Sequence, residues 1–236
     1  MKRLVAVLAI SALLACSSKN SDDVFFSEVG ALSKEEILAR GDAQAEKKHW
    51  DTARKYYSFL ADSFPNDPLG RQAALKVADS FYRAKDIASL TEAQLRYKDF
   101  SNRFPNDPQR AYALLMLGKC SLHKSKGSLR DLTPIREASD SFKLVIELFP
   151  TSTHATEATE LYAKAQEDLA RHELEVAQFY VRLGSYRGAT HRLEYLAATY
   201  PKTQAAEEGR AMLARAREYL ATEAGSEPSP TPTPQH

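Results

Sequence analysis

The chain has 236 residues, with 32 Lys and Arg against 31 Asp and Glu and a formal charge of +1. A balance this close gives no basic footprint of the kind that nucleic-acid binding needs. The span 33–222 is one domain's worth of chain, long enough to bury a sizeable core.

The first fifteen residues predict a secretory signal. Lys2 and Arg3 precede an apolar stretch, residues 4–15, broken only by Ser11. That stretch falls short of the roughly twenty residues that span a bilayer as a helix, and no later segment approaches this length. Leu13-Leu14-Ala15-Cys16 resembles the bacterial lipobox, in which the cysteine is acylated, by palmitate among other chains, and becomes the mature N-terminus. Several acyl chains would hold the protein on a membrane, not through it. Ser17 stands where an aspartate would favour inner-membrane retention, which points to the periplasmic face of the outer membrane. Loss of residues 1–15 leaves 30 basic against 31 acidic side chains, a charge of −1.

Residues 16–32 are polar and acidic apart from Val24-Phe25-Phe26 and the short run 29–32, and are expected to be a flexible tether. Residues 33–222 follow as a repeat domain. At the other end, residues 223–236 carry Pro228, Pro230, Pro232 and Pro234, and are expected to be a disordered tail.

Between these ends the sequence repeats. Phe64-Pro65, Phe104-Pro105, Phe149-Pro150 and Tyr200-Pro201 recur at spacings of 40, 45 and 51 residues. Each spacing fits a helix-turn-helix unit of about 34 residues with insertions. The tetratricopeptide pattern asks for a small residue twelve positions before the proline, a large one eight before and an apolar one five before. Ala53, Tyr57 and Leu60 comply, as do Ala93, Tyr97 and Phe100, then Ala138, Phe142 and Val145, then Ala189, Leu193 and Leu196. The first helix of each pair is marked by the small residues Gly41, Ala78 and Gly118, which its partner helix must approach closely. Insertions are expected in loops near residues 87–90 and 123–134. Residues 155–184 read as one long helical stretch or two helices, and 204–222 as a last helix. The predicted fold is all-α, a tetratricopeptide-like solenoid of helical hairpins with about nine to ten helices.

The C-terminal half carries more than the repeat requires. Arg130-Asp131-Leu132-Thr133, then the Leu-Ala-x-x-Glu-x-x-Val-Ala-x-x-Tyr run from Leu169 to Tyr180, then Arg192-Leu193-Glu194 and Tyr200-Pro201-Lys202-Thr203 make the chain resemble the BamD family. These are the tetratricopeptide lipoproteins of the β-barrel assembly machinery in the Gram-negative outer membrane. The resemblance implies a non-catalytic scaffold whose partners are a POTRA domain of the barrel component BamA, other lipoproteins of the complex and unfolded outer-membrane proteins. It implies membrane attachment through lipid alone and no cofactor. Arg192 matches the family arginine that meets an acidic residue of BamA, and Arg187 and Glu194 flank it. The family commonly adds a further C-terminal helix, where this chain passes into its proline tail. A scaffold for envelope division or pilus assembly would share the lipobox and repeats but lack the Leu-Ala-x-x-Glu run.

Counting from the small residues of the first helices places Leu38, Asp42, Leu75, Asp79, Tyr82, Tyr112, Leu115, Lys119 and Leu122 on the concave face. This is expected to be an apolar groove with charges beside it; the family resemblance implies that it takes an aromatic-ended targeting segment, with Lys119 meeting the terminal carboxylate. Trp50 and Glu173 are expected to serve packing and structure, and Cys120, in a helical stretch, to be a buried free thiol. The six histidines include no pair at metal-ligand spacing, and no nucleophile elbow or phosphate loop appears, so neither a metal site nor an enzyme is expected.

Overall fold

The computed structural model describes residues 21–125 and 131–226. Ten helices and no strand occur among them: α1 (Ser21–Val29), α2 (Lys34–Glu46), α3 (Trp50–Ser63), α4 (Pro68–Ala84), α5 (Ile87–Arg103), α6 (Arg110–Ser125), α7 (Thr133–Leu148), α8 (Ala155–Arg182), α9 (Tyr186–Thr199) and α10 (Gln204–Ser226). Each helix from α2 onward packs chiefly against its sequence neighbours, which is the quasi-one-dimensional order of a solenoid. No described helix is long and apolar enough to cross a membrane. The signal and lipobox residues lie outside the described residues.

The four aromatic-proline signatures make one recurring turn. Phe64, Phe104, Phe149 and Tyr200 cap α3, α5, α7 and α9, each donating its N–H to the carbonyl four residues back at 2.9–3.1 Å. The following proline forbids helix at the aromatic, which takes an extended φ between −123° and −134°. Three residues after each aromatic, Asp67, Asp107, Ser152 and Thr203 return an N–H to its carbonyl. The same four side chains then accept from an N–H two or three residues on, opening the next helix.

A cation at the start of the first helix in each of the first three hairpins reaches over the ring of the next turn: Lys34 over Phe64, Arg71 over Phe104, Arg110 over Phe149. Lys34 pairs with Asp67, and Arg71 Nε donates to Asp107 Oδ2 at 2.7 Å. The third turn offers Ser152 in place of aspartate, and Arg110 Nε is buried without a partner. In the last junction Glu167 on α8 accepts from the N–H groups of Gln204 and Ala205 at 2.7 and 3.1 Å.

All twelve pattern positions are at most 2% exposed. The close approach of paired helices is explicit at Gly41 and Gly118, where a Cβ would lie 2.4 Å from the Tyr57 ring and 2.5 Å from the Phe142 ring. Cys120 is fully buried, and burial pushes its thiol up to about 12.

Three expectations change, and one open choice is decided. Residues 21–29 of the expected tether form α1, because Val29 and Phe25 find an apolar seat against Ile37, Leu38, Tyr56 and Tyr57, while Glu28 pairs with Arg40. The insertion at 87–90 is not a loop but the first turn of α5, capped by Asp86 accepting from Ser89 N–H. Residues 155–182 are one helix of 28 residues. The last helix runs four residues past its expected end, to Ser226.

Candidate functional site

The concave face opens between the first two hairpins as two adjoining cavities of about 520 Å³ each, which share Lys48, Trp50, Asp79 and Arg83. Asp42, Tyr57 and Lys76 complete much of the first; Tyr82, Lys85, Tyr112 and Met116 complete the second. The floor is a hydrogen-bonded polar layer. Tyr57 donates to Asp42 at 2.6 Å, and Lys76 pairs with the same carboxylate at 2.8 Å. Asp79 accepts from both Tyr97 and Tyr112, the latter at 2.7 Å. Burial first, and then the neighbouring carboxylates, raise the phenol pKa of Tyr57, Tyr97 and Tyr112 well above the usual range.

Of the nine residues expected to line the groove, Asp42, Asp79, Tyr82 and Tyr112 do so. Leu38, Leu75 and Leu115 do not: they are 9%, 5% and 2% exposed, each inside an apolar cluster between hairpins. Leu122 is half-buried against the cluster around Leu114 and Phe142. Lys119, expected to await a carboxylate, already has one, Glu157 on α8 at 2.6 Å. The groove is therefore polar and aromatic, not aliphatic.

The residues that replace them were hidden by counting only first helices. Trp50 is the first residue of a second helix, yet it lines the groove, with the Arg83 guanidinium 5.7 Å from its ring centroid. Lys48 and Lys85 sit in the turns joining the helices of the first two hairpins. Their φ angles, +61° and +62°, are the only positive ones at non-glycine residues among those described. The Lys48 turn closes with Lys48 N–H on Ala45 O and His49 N–H on Gln44 O. Gly184 closes the fourth hairpin in the same way, through Val181 O and Tyr180 O, at φ +72°. Lysine in that conformation costs about 1 kcal/mol relative to glycine.

At the other end of the solenoid, Arg192 on α9 is not simply an outward cation. Its Nη1 donates to Glu173 Oε2 on α8 at 3.1 Å, and the Glu173 side chain is only 7% exposed against 41% for Arg192. The pair binds α9 to α8 and leaves part of the guanidinium at the surface. Glu194 pairs with Arg217 on α10 at 2.7 Å, and Arg187 is exposed in the first turn of α9. Beside them Tyr186 stacks on Tyr219 with ring centroids 3.8 Å apart.

Hairpins stacked around a common groove, closed by aromatic-proline turns, define a tetratricopeptide-type helical scaffold. Residues 31–229 match the family described as YfiO, outer membrane lipoprotein, and the chain belongs to that family. It is similar to the outer membrane protein assembly factor BamD of Haemophilus influenzae, 27% identical over 92% of this chain and 83% of the relative. The factors of the same name from Neisseria meningitidis serogroup A and Vibrio cholerae are each 26% identical. They cover 93% and 86% of this chain, and 85% of each relative is matched.

Proposed function

We propose that this chain is a non-catalytic scaffold of the outer-membrane β-barrel assembly complex. Cys16 would carry the acyl anchor, the concave groove of the first two hairpins would take targeting segments of unfolded outer-membrane proteins, and the α8–α9–α10 end would meet a POTRA domain of BamA. The observation that carries the reading is the likeness to assembly factors along nearly the whole chain. The groove fits this role because aromatic faces and unspent cations can hold an extended chain without a fixed sequence. Arg187 and the exposed part of Arg192 offer donors to an acidic partner surface.

The test is affinity capture of the lipidated protein from its own membranes. BamA is expected among the captured proteins, and its recovery should fall in an Arg187→Glu variant. Arg192→Gln keeps a donor for Glu173 and separates loss of the interface from loss of fold, which circular dichroism checks. Capture that returns division or pilus proteins without BamA would overturn the reading.

A further inference from the structure

We infer that the groove between α8, α9 and α10 is a seat for a proline-rich segment, and that residues 227–236 of this chain occupy it. The inference goes beyond the assembly reading and does not rest on it. A cavity of about 350 Å³ opens there, lined by Val181, Tyr186, Met212, Arg215 and Tyr219 among others. It repeats, late in the solenoid, the place that Trp50 and Arg83 hold near the start. Tyr186 is the first residue of α9 as Trp50 is of α3, each fifteen residues before its turn proline. Tyr219 and Arg83 each follow that proline by eighteen. Where the first junction sets a guanidinium over a ring, the last stacks ring on ring, with centroids 3.8 Å apart and planes 25° from parallel. Tyr219 is nonetheless 47% exposed, so much of this aromatic surface stays open.

Tyrosine rings beside an open groove suit a polyproline II helix, whose proline rings dock on aromatic faces and whose order is largely set before binding. That helix makes no internal hydrogen bonds, so its carbonyls need donors. Arg215 supplies them, having no ion-pair partner among the described residues; the one acid lining the cavity, Glu208, is already held by Arg171 at 2.8 Å. Residues 227–236 lie outside the described residues and read Glu-Pro-Ser-Pro-Thr-Pro-Thr-Pro-Gln-His, in which proline is the only apolar residue type. They begin where α10 ends, at Ser226, seven residues and about 10 Å past Tyr219. As polyproline II they would span about 31 Å. After a turn of about four residues, about 19 Å of chain remains, enough to run back along Tyr219 and Tyr186. A tether this short sets an effective concentration in the millimolar range, so a groove that binds such a peptide with a Kd of about 1 mM is half filled in cis.

The test uses the full chain as a Cys16→Ser/Thr231→Cys variant with a nitroxide at position 231 and isotope-labelled tyrosine rings; Cys120 is buried and stays unlabelled. Tyr186→Phe and Tyr219→Phe assign the two signals by magnetic resonance. Relative to the reduced nitroxide, the Tyr186 and Tyr219 signals should broaden severalfold more than those of Tyr57 and Tyr97 in the first two hairpins. A tail tethered to α10 but not seated would also pass near Tyr219. The deciding comparison is therefore a variant with Pro228→Gly, Pro230→Gly, Pro232→Gly and Pro234→Gly, which keeps the tail's length and touches no described residue. Glycine removes both the proline rings and the preset backbone, so the broadening should fall severalfold. Broadening unchanged by the glycines overturns the inference, as does broadening centred on other tyrosines or on none. A chain with labelled tyrosines and no nitroxide, mixed with the nitroxide chain, should show no broadening. Broadening there would assign the segment to the groove of a second copy and overturn the seat in cis.

Discussion

Replacing Ser152 by aspartate should stabilise the fold, because it completes a clasp that the two preceding turns already have. Ser152 occupies the place of Asp67 and Asp107: its N–H returns to the aromatic carbonyl at 3.0 Å and its hydroxyl accepts from His154 N–H at 3.2 Å. An aspartate keeps that cap and adds a carboxylate where Arg110 Nε is now buried and unsatisfied. The template is Arg71 Nε on Asp107 at 2.7 Å, with side chains 28% and 8% exposed. A hydrogen bond between charged groups contributes about 1.5–3 kcal/mol when well shielded; partial exposure discounts this to roughly 1 kcal/mol. For a chain of this size that corresponds to a rise of about 2–4 °C in melting temperature, read by circular dichroism at neutral pH. Aspartate at a helix start also gains from the helix dipole, so two controls isolate the clasp. Ser152→Asn supplies the cap without the charge, and Arg110→Met removes the partner. A gain equal in Ser152→Asn, or undiminished in the Arg110→Met background, would refute the clasp as its cause.

Gly118→Ala should destabilise: its Cβ would stand 2.5 Å from the fully buried Phe142 ring. Overpacking costs about 1–3 kcal/mol against about 1 kcal/mol regained in helix propensity, so denaturant titration should show a net loss of up to about 2 kcal/mol. Cys120, its thiol raised to about 12 by burial, should ignore Ellman's reagent at pH 8 in a Cys16→Ser chain until denaturant is added; prompt reaction would contradict the buried assignment. Hydrogen bonds hold four carboxyls below the usual range: from Lys34 and the Leu69 N–H on Asp67, from Ser33 on Glu36, from Ser89 on Asp86 and from Thr133 on Asp131. A depressed folded pKa gives stability that is present above the unfolded value and lost as pH falls through the folded one. The melting temperature should therefore hold steady from neutral pH to about 5 and fall below about 4. A steady value down to pH 3 would show that these caps contribute nothing.

The repeat core was legible because it obeys spacing alone. A small residue twelve positions before a proline and a ring eight before it can be read without knowing any neighbour, and Ala53, Tyr57, Ala138 and Phe142 all lie where that rule puts them. The groove was half legible. Counting along the first helices found Asp42, Asp79, Tyr82 and Tyr112, but Leu38, Leu75 and Leu115 on the same helices are buried in the apolar clusters. Whether a position on a concave face is open depends on how far the next hairpin closes over it, and spacing does not carry that distance. Helix α1 was illegible for a similar reason. Nine residues offer a single i, i+4 apolar pair, Phe25 and Val29, too short a run to mark a helix, and what fixes them is tertiary: Val29 at 1% exposure and Phe25 5.1 Å from the Tyr56 ring.

In a repeat protein each unit serves as a control for the others, and departures from the shared turn separate what folding requires from what it does not. Folding requires a capping oxygen three residues after the aromatic, and all four turns supply one. It does not require a carboxylate there, since the third turn lacks it and leaves Arg110 Nε unsatisfied. Folding likewise requires a left-handed residue at the Lys48 and Gly184 turns, and glycine meets that need at lower cost. The two departures have opposite logic. Ser152 leaves a buried donor short of a partner and adds no charge to any cavity, so restoring aspartate should cost binding nothing. Lys48 and Lys85 bear a backbone cost and place charge beside Trp50, so restoring glycine should cost binding without costing stability. Measuring the stability of both sets of variants tests that division directly: aspartate at 152 and glycine at 48 should each raise the melting temperature.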